Sequence, residues 1–219
     1  MTIRWAVRAI ENGALDMERH EEPLIPVLEA LLPEGGVLVD IGANMGLWTV
    51  RLGGRASRVI AVEPNPAAAE ILRQNITLNG LAGRVTVLQV AAWDCGEPLG
   101  FFNPAGDGEP AAGLMRVLPG GGGPLRGVRL DDALPPLDRI DLVKVDTEGA
   151  DIRALAGMTA AIAAHRPVLF IESHHKPPYG YYALEDLHGF LAGIGYAWSE
   201  EHWASQYHLI CTPARESLS

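Results

Sequence analysis

The stretch that decides the fold is residues 37–46, Val-Leu-Val-Asp-Ile-Gly-Ala-Asn-Met-Gly. Its apolar first half, residues 37–41, is typical of a strand that is buried on both faces of a parallel sheet. The turn that follows contains Gly42 and Gly46, and glycine allows a sharp bend or a close approach of the backbone to a ligand. A helical pattern comes next, and the free N–H groups at a helix start favour a carboxylate or a phosphate. The stretch therefore predicts a ligand pocket at the carboxyl end of the first strand.

Strand and helix patterns alternate along the rest of the chain. Further strands are predicted at residues 58–62, 85–91, 141–145, 168–171 and 206–212, and helices at 67–78, 150–164 and 183–193. The last strand is expected to pair as a hairpin with one near residues 196–198. This alternation predicts an α/β fold, a doubly wound and mostly parallel sheet with helices on both faces and an antiparallel last strand.

The chain divides into a lead-in and one domain. Residues 1–34 carry apolar side chains at helical spacing and are expected to pack on one face of the sheet. Residues 35–214 are expected to form a single domain, in which a Gly/Pro-rich insertion at about 95–127 interrupts the pattern. Short strands near 101–102 and 128–130 are expected beside the sheet. A loop this long is usually functional or disordered, and both a mobile flap and a disordered insertion stay open.

Charge and composition limit the kinds of molecule that the protein is expected to bind. The 219 residues carry a formal net charge of −10 and a pI near 5.1, which disfavours nucleic acid as a partner. No apolar run approaches the roughly 20 residues that span a bilayer, so no membrane segment is expected. Two cysteines, Cys95 and Cys211, fit a reducing cytoplasm better than a disulfide framework. The sequence does not choose between a monomer and a homodimer.

The glycine turn differs from a dinucleotide fingerprint. Asn44 stands where G-x-G-x-x-G has its central glycine, and no G-K-[ST] follows, so NAD, FAD and ATP are disfavoured. Asp40, just before the turn, would repel a pyrophosphate but would suit an ammonium group. Glu63 follows the second strand about 20 residues later, where a carboxylate accepts both hydroxyls of a ribose.

One ligand has both an amino acid end and an adenosine end, and it is S-adenosylmethionine. Asp40 would meet its amino group, directly or through water, and the backbone from Gly42 through Asn44 to Gly46 would receive its carboxylate. Glu63 would hold the ribose. The adenine would lie between Asn65 on one side and residues Ala92 and Trp93 on the other.

Acids and histidines follow two later strands, where the substrates of open α/β sheets bind. Asp146 and Glu148 follow one strand, and Glu172 and His174 follow the next. In one interpretation Asp146, Glu148 or Glu172 binds Mg²⁺, which would lower the pKa of an acceptor hydroxyl. As a variant, Glu172 and His174 beside Asp146 would suit Mn²⁺ or Zn²⁺. In the other, His174 or His175 is a metal-free general base, with His174 as the candidate. Glu148 could instead cap a helix.

Two neighbouring features have a structural and a functional interpretation. Lys144 lies in a buried strand and is expected to pair with a nearby carboxylate. The segment 176–182, Lys-Pro-Pro-Tyr-Gly-Tyr-Tyr, could cover an apolar or sugar acceptor with its rings, or could tuck those rings onto the core.

Five motifs together resemble those of FkbM-type methyltransferases. They are residues 39–46, Val62-Glu63-Pro64-Asn65-Pro66, Asn75 to Asn79, Leu130-Asp131-Asp132 and Val143-Lys144-Val145-Asp146-Thr147-Glu148-Gly149, the last being the most specific. The resemblance covers residues 36–173. It implies a seven-stranded, Rossmann-like class I methyltransferase fold and O-methylation of hydroxyls on small natural products or sugars. The chain departs from the family in having Asp151 where Glu is more usual.

The function predicted from these residues is S-adenosylmethionine-dependent O-methylation of a small hydroxylated molecule. A second hypothesis is methylation of a peptide or protein carboxylate or nitrogen on the same scaffold. A third is a non-catalytic scaffold that keeps the cofactor pocket, and a dinucleotide oxidoreductase is the fourth.

Overall fold

The structure is a computed structural model that describes residues 3–11, 13–102, 116–120, 124–175, 182–203 and 206–214. The chain begins with helices α1 (Val7–Glu11), α2 (Ala14–Glu21) and α3 (Ile25–Leu31), with a 3-10 turn at Glu22–Leu24 between the last two. Leu24 and Leu28 are buried and pack in the same apolar cluster as Leu38 of the first strand. The amino-terminal helices therefore cover one face of the sheet.

A seven-stranded sheet forms the centre of the molecule. The strands of the whole chain are β1 (Val37–Ile41), β2 (Arg58–Val62), β3 (Val85–Leu88), β4 (Ala91–Ala92), β5 (Leu99–Phe102), β6 (Arg116–Pro119), β7 (Gly127–Val128), β8 (Leu142–Val145), β9 (Val168–Glu172), β10 (Tyr196–Trp203) and β11 (Gln206–Pro213). The main sheet has the order β10-β11-β9-β8-β1-β2-β3, and β11 is antiparallel to both of its neighbours. The other pairs are parallel, which confirms the predicted fold class.

Helices cover both faces of this sheet. They are α4 (Leu47–Gly53), α5 (Pro66–Leu78), α6 (Leu130–Ala133), α7 (Asp151–Ala156), α8 (Thr159–His165) and α9 (Leu184–Gly193). Successive strand residues point to opposite faces. Val39 and Ile41 accordingly join the apolar cluster on one side of the sheet, while Leu38 joins the cluster on the other.

Two predicted elements are shorter than the sequence pattern indicated. The strand predicted at 85–91 ends at Leu88, and β4 pairs with β7 in a separate two-stranded sheet. The helix predicted at 150–164 is divided into α7 and α8 at Gly157. A Cβ at Gly157 would lie 2.0 Å from the carbonyl oxygen of Trp93, so this glycine allows a close backbone contact where the helix stops.

The Gly/Pro-rich insertion is only partly within the described residues. Strands β5 and β6 form an antiparallel hairpin, which confirms the short strand predicted near Phe101, while residues 103–115 and 121–123 lie outside the description. The strand predicted at 128–130 ends at Val128, because α6 begins at Leu130. Among the described residues, no helix is long and apolar enough to cross a bilayer.

Candidate active site

A crevice of about 620 Å³, including its open mouth, lies at the carboxyl ends of β1, β2 and β8. Strand β2, the next in sequence, lies on one side of β1, and β8, which comes later in the chain, lies on its other side. Such a switch point is where open α/β sheets bind ligands. The walls are formed by Ile41, Gly42, Asn44, Val62, Glu63, Pro64, Ala91, Ala92, Trp93, Val117, Asp146, Thr147, Glu148 and Ala150.

The two glycines of the turn serve packing inside the protein. Gly42 has φ +78°, and a Cβ there would lie 1.7 Å from the carbonyl oxygen of Asp146. Gly46 has φ +96°, and its Cβ would lie 2.5 Å from Leu72 of α5. Gly42 lines the crevice and Gly46 does not. The close approach expected of these glycines is therefore to a neighbouring strand and a neighbouring helix.

Glu63 is the acid that this turn and the second strand bring into the crevice. One carboxylate oxygen accepts the N–H of Asn44 at 2.8 Å, and the other accepts the N–H of Asn65 at 2.7 Å. Burial raises the pKa of Glu63 to about 7, although both N–H groups lower it. Each carboxylate oxygen can accept more than one hydrogen bond, so Glu63 can also hold a ligand that carries two hydroxyls.

Asp40 lies behind the crevice rather than in its wall. It is fully buried, accepts the Thr49 hydroxyl at 2.6 Å, and its other oxygen has no hydrogen-bond partner among the described residues. Burial raises its pKa, and the charge of Lys144 opposes that shift. Asp40 therefore lies behind the crevice wall, and its predicted contact with an amino group, directly or through water, stays a prediction.

The predicted adenine contacts are brought together in part. Ala92 and Trp93 line the crevice, and the Trp93 indole N–H donates to Glu97 at 2.5 Å. Asn65 does not line it. Its side chain caps α5 by accepting the N–H of Ala67 at 3.0 Å. Asn65 contributes to the site through its backbone N–H on Glu63.

At the other end of the crevice, His174 lies among carboxylates. Its Nε2 is 3.7 Å from Oε2 of Glu148 and 3.5 Å from Oε1 of Glu172, and its Nδ1 is 3.9 Å from Oδ1 of Asp146. Burial lowers the pKa of His174, but the neighbouring acids, Asp146 foremost, outweigh burial and raise it. Lys144 donates to Oδ2 of Asp146 at 3.0 Å, which confirms its predicted pairing with a carboxylate.

Glu172 is less available than predicted for a metal ligand. Its side chain is 5% exposed, Gln206 donates to one of its oxygens, and Nε2 of His208 is 3.7 Å from the other. Burial, with the charge of Asp146, raises the pKa of Glu172 to about 9. The structure therefore removes Glu172 from the crevice wall and places Glu148 there.

Glu148 does not cap the helix that follows it. Its φ is +56°, that of Gly149 is +104°, and α7 begins only at Asp151. Asp151, the first residue of α7, holds the preceding turn instead, because its carboxylate accepts both the N–H of Thr147 at 3.2 Å and the Thr147 hydroxyl at 2.5 Å. The turn leaves the Glu148 side chain facing His174.

A hydrogen-bond network ties together the loops that follow β8 and β9. Tyr182 donates its hydroxyl to Asp151, and Oγ of Ser173 lies 3.0 Å from the same hydroxyl. Tyr182 also packs against the main apolar cluster, so its ring is tucked onto the core. Residues 176–181, the rest of the predicted aromatic cover, lie outside the described residues. The network fixes the loop of Asp146 and Glu148 relative to the loop of His174.

Sequence reasoning missed several residues of the crevice wall, among them Pro64, Val117, Thr147 and Ala150. Pro64 and Thr147 stand beside acids that were predicted, so their positions in the motifs could have found them. Val117 belongs to β6 inside the Gly/Pro-rich insertion, where no periodic pattern places a side chain.

The match to known families agrees with this geometry. The model of the Methyltransferase FkbM domain matches residues 40–197, more than two thirds of the chain. The chain belongs to the FkbM methyltransferase family. The FkbM resemblance stated from the motifs is thereby confirmed, and the match ends within β10 of the hairpin.

Relatives of this FkbM chain differ from it in length. Methyltransferase sdnD from Sordaria araneosa is 28% identical over 168 residues, which are 59% of this chain and 62% of that protein. The crystal structure of Methyltransferase FkbM from Methylobacillus flagellatus KT has a TM-score of 0.56 at 20% identity, covering 91% of this chain and 60% of that one. This chain therefore spans about 60% of the length of both relatives.

The fold extends beyond the family. A Clostridium thermocellum protein, provisionally assigned as an rRNA methylase, has a TM-score of 0.60 at 13% identity, covering 90% of this chain and 97% of that one. At such identities the structures show the fold alone. The acceptor is a separate question.

Proposed function

We propose that this FkbM domain binds S-adenosylmethionine in the crevice and transfers its methyl group to a hydroxyl oxygen of a small molecule. The observation that carries the cofactor assignment is Glu63, a buried carboxylate in the crevice wall whose two oxygens are fixed by the N–H groups of Asn44 and Asn65. A carboxylate at this strand end is suited to the two hydroxyls of a ribose.

The remaining walls fit the other parts of the cofactor. Ala92, Trp93 and Val117 supply an apolar side next to Glu63 for the adenine. Gly42 and the backbone at Asn44 supply the turn for the amino acid end.

The acceptor would lie where Asp146, Glu148 and His174 meet. Methyl transfer forms an O–CH₃ bond, breaks the C–S⁺ bond and releases the proton of the hydroxyl. Positioning of the oxygen in line with the methyl group supplies much of the rate, and a charged cluster at this point can help the proton to leave.

Charge supports a small acceptor over a nucleic acid. The chain carries −10, and acids line the crevice at both ends. A phosphate backbone would be repelled at close range. Methylation of a peptide carboxylate or nitrogen, and a scaffold that binds the cofactor without turnover, remain the alternatives that an experiment must separate.

The test has two parts. Calorimetry with S-adenosylhomocysteine should show one site, with loss of affinity in Glu63→Ala and unchanged affinity in Glu185→Ala, an exposed acid on α9. Incubation with S-adenosylmethionine carrying a labelled methyl group, against panels of hydroxylated small molecules, peptides and RNA, then identifies the acceptor class by mass. No binding by the unmodified chain refutes the cofactor assignment. Label on peptide or RNA alone refutes the acceptor class, and binding without turnover on any panel favours the scaffold.

A further inference from the structure

A mixed set of three metal-ligating side chains closes one end of the crevice. Asp146, Glu148 and His174 each offer one ligand atom, and these atoms all lie within 4.8 Å of one another. They come from two strand-end loops, Asp146 and Glu148 after β8 and His174 after β9. Two carboxylate oxygens and an imidazole nitrogen are a donor set that holds divalent first-row metals.

The distances fit ligands of one ion better than hydrogen-bonded partners. His174 Nε2 and Glu148 Oε2 are 3.7 Å apart, beyond the 2.7–3.2 Å that is usual for an N–H···O bond. Ligand bonds of about 2.1 Å place neighbouring donors on one ion roughly 3.0–3.5 Å apart. Small side-chain rotations would therefore bring the three donors to a common centre.

A second acidic cluster offers a comparison, because its carboxylates accept hydrogen bonds from other side chains. Asp94, Cys95 and Glu97 also lie within metal-ligand distance of one another. There Glu97 accepts the Trp93 indole N–H at 2.5 Å, and Asp94 accepts a hydrogen bond from Arg153. Those carboxylates serve neighbouring donors and lie away from the crevice wall, whereas Asp146 and Glu148 are part of that wall. Lys144 donates to Oδ2 of Asp146, and Oδ1 is the oxygen that faces His174.

We propose that Asp146, Glu148 and His174 bind one divalent first-row cation, of which Mn²⁺ is the probe. The inference rests on the proposed function and deepens it, since a cation here would hold the acceptor hydroxyl beside the methyl donor. Such a cation would lower the pKa of the acceptor hydroxyl, so that its proton would pass to solvent as the oxygen attacks the methyl carbon and the C–S bond breaks to give the ether and S-adenosylhomocysteine. The nitrogen ligand favours Mn²⁺ over Mg²⁺, whose sites are built from oxygen.

The site differs from the one that the sequence indicated. Glu172 was predicted to share the ion with Asp146, and its Oε1 lies 3.5 Å from Nε2 of His174. That same oxygen accepts a hydrogen bond from Gln206, however, and Glu172 lies outside the crevice wall. The proposal therefore assigns cation binding to Glu148 and not to Glu172, although the two side chains are chemically identical. Glu148→Gln should abolish the site, and Glu172→Gln should leave cation binding intact.

The experiment measures the cation directly on the full chain after treatment with a chelator and dialysis. Mn²⁺ titration, followed by electron paramagnetic resonance of the free ion, should show one site in the unmodified chain. Mn²⁺ affinity should fall in both Glu148→Gln and His174→Ala. The loss should be at least roughly 10- to 100-fold, which is what removal of an outer-shell partner alone costs. Affinity should be unchanged in Glu172→Gln and in Glu185→Gln. Circular dichroism confirms the fold of each variant, and if Glu172→Gln fails to fold, Glu185→Gln serves as the control.

Three outcomes separate this proposal from the proposed function. No saturable Mn²⁺ binding, or equal binding in Glu148→Gln, overturns the cation site. Methyl transfer that continues in excess chelator also overturns it and leaves His174 as the metal-free base. If the unmodified chain does not bind S-adenosylhomocysteine, the proposed function is overturned instead, whatever the Mn²⁺ titration shows.

Discussion

Affinity for the cofactor should depend on pH through Glu63. The ionised carboxylate can accept the ribose hydroxyls while it still accepts the N–H groups of Asn44 and Asn65. A protonated carboxyl places a hydrogen on one of those oxygens and loses acceptor capacity. The pKa of about 7 therefore lies in the range where binding is measured.

The size of the effect follows from that pKa. The ionised fraction of Glu63 falls from about 0.9 at pH 8 to about 0.1 at pH 6, so affinity should fall about tenfold, or ~1.4 kcal/mol, if only the ionised form binds. Calorimetry with S-adenosylhomocysteine at pH 6, 7 and 8 measures this change. Glu63→Gln should bind S-adenosylhomocysteine more weakly at every pH, and its affinity should lose this dependence on pH. Because the ligand's own titration affects both proteins equally, comparing them removes that contribution. Equal pH slopes in the two proteins would refute the role given to Glu63.

Stability provides an independent check with a defined sign. The pKa of Glu63 is raised in the folded state from 4.5 to about 7, so the folded protein binds the proton more tightly than the unfolded chain. Its contribution is fully present below pH 4.5 and is lost as the pH rises through 7, by about 3 kcal/mol. Denaturant unfolding should show this loss in the unmodified chain relative to Glu63→Gln. Parallel curves would contradict the raised pKa.

Further predictions concern the turn, the network and the carboxylate cluster. Gly42→Ala should lower the free energy of unfolding by more than about 3 kcal/mol, because its Cβ would overlap a backbone oxygen. Gly80→Ala, with φ +71° and open space around it, should cost only the roughly 1–2 kcal/mol of a left-handed residue. Equal losses in denaturant unfolding would contradict the overlap. Tyr182→Phe and Tyr196→Phe each remove a hydroxyl donor and should each cost about 1–3 kcal/mol, but Tyr182→Phe alone should lower kcat; unchanged kcat would remove the network from catalysis. In chelator at pH 8, Glu148→Gln should raise Tm by a few degrees, because burial and a neighbouring acid raise the pKa of Glu148 and its charged form is unfavourable; a lower Tm would contradict this crowding.

The elements that the sequence predicts best are those that depend on local pattern alone. Strand β2 has the predicted bounds, 58–62, since a strand buried on both faces needs a continuous apolar run. The antiparallel hairpin at the chain's end is also confirmed, and the structure extends it to 196–213. In each case the residues that fix the element are neighbours in sequence.

The elements that the sequence misjudges depend on distant contacts. The break between α7 and α8 at Gly157 follows from the carbonyl of Trp93, a residue 64 positions earlier. The left-handed backbone of Glu148 has no signal in its own residue type, because glutamate rarely adopts φ +56°. Val117 reaches the crevice only through the β5–β6 hairpin, which brackets residues outside the description.

The acids at strand ends show how finely the site depends on register. Four of the acids predicted for the site stand near a strand end, and each of the four comes at or just after the end of an apolar run. Glu63 and Asp146 come one residue after the last paired positions of β2 and β8, and both line the crevice. Asp40 and Glu172 are still paired within the sheet, with Lys144 and His208 respectively, and both are buried behind the wall.

One residue of strand length therefore separates an acid that lines the crevice from one that lies behind its wall. Side chains alternate between the faces of a strand, so an acid inside the ladder is directed onto a face that a helix covers, while the acid after it is free to turn toward the crevice. Strand ends are also the positions that a sequence pattern locates least accurately. The identity of the four acids could be read from the chain, but the division into two that line the crevice and two that lie behind it required the pairing of β1 with β8 and of β9 with β11.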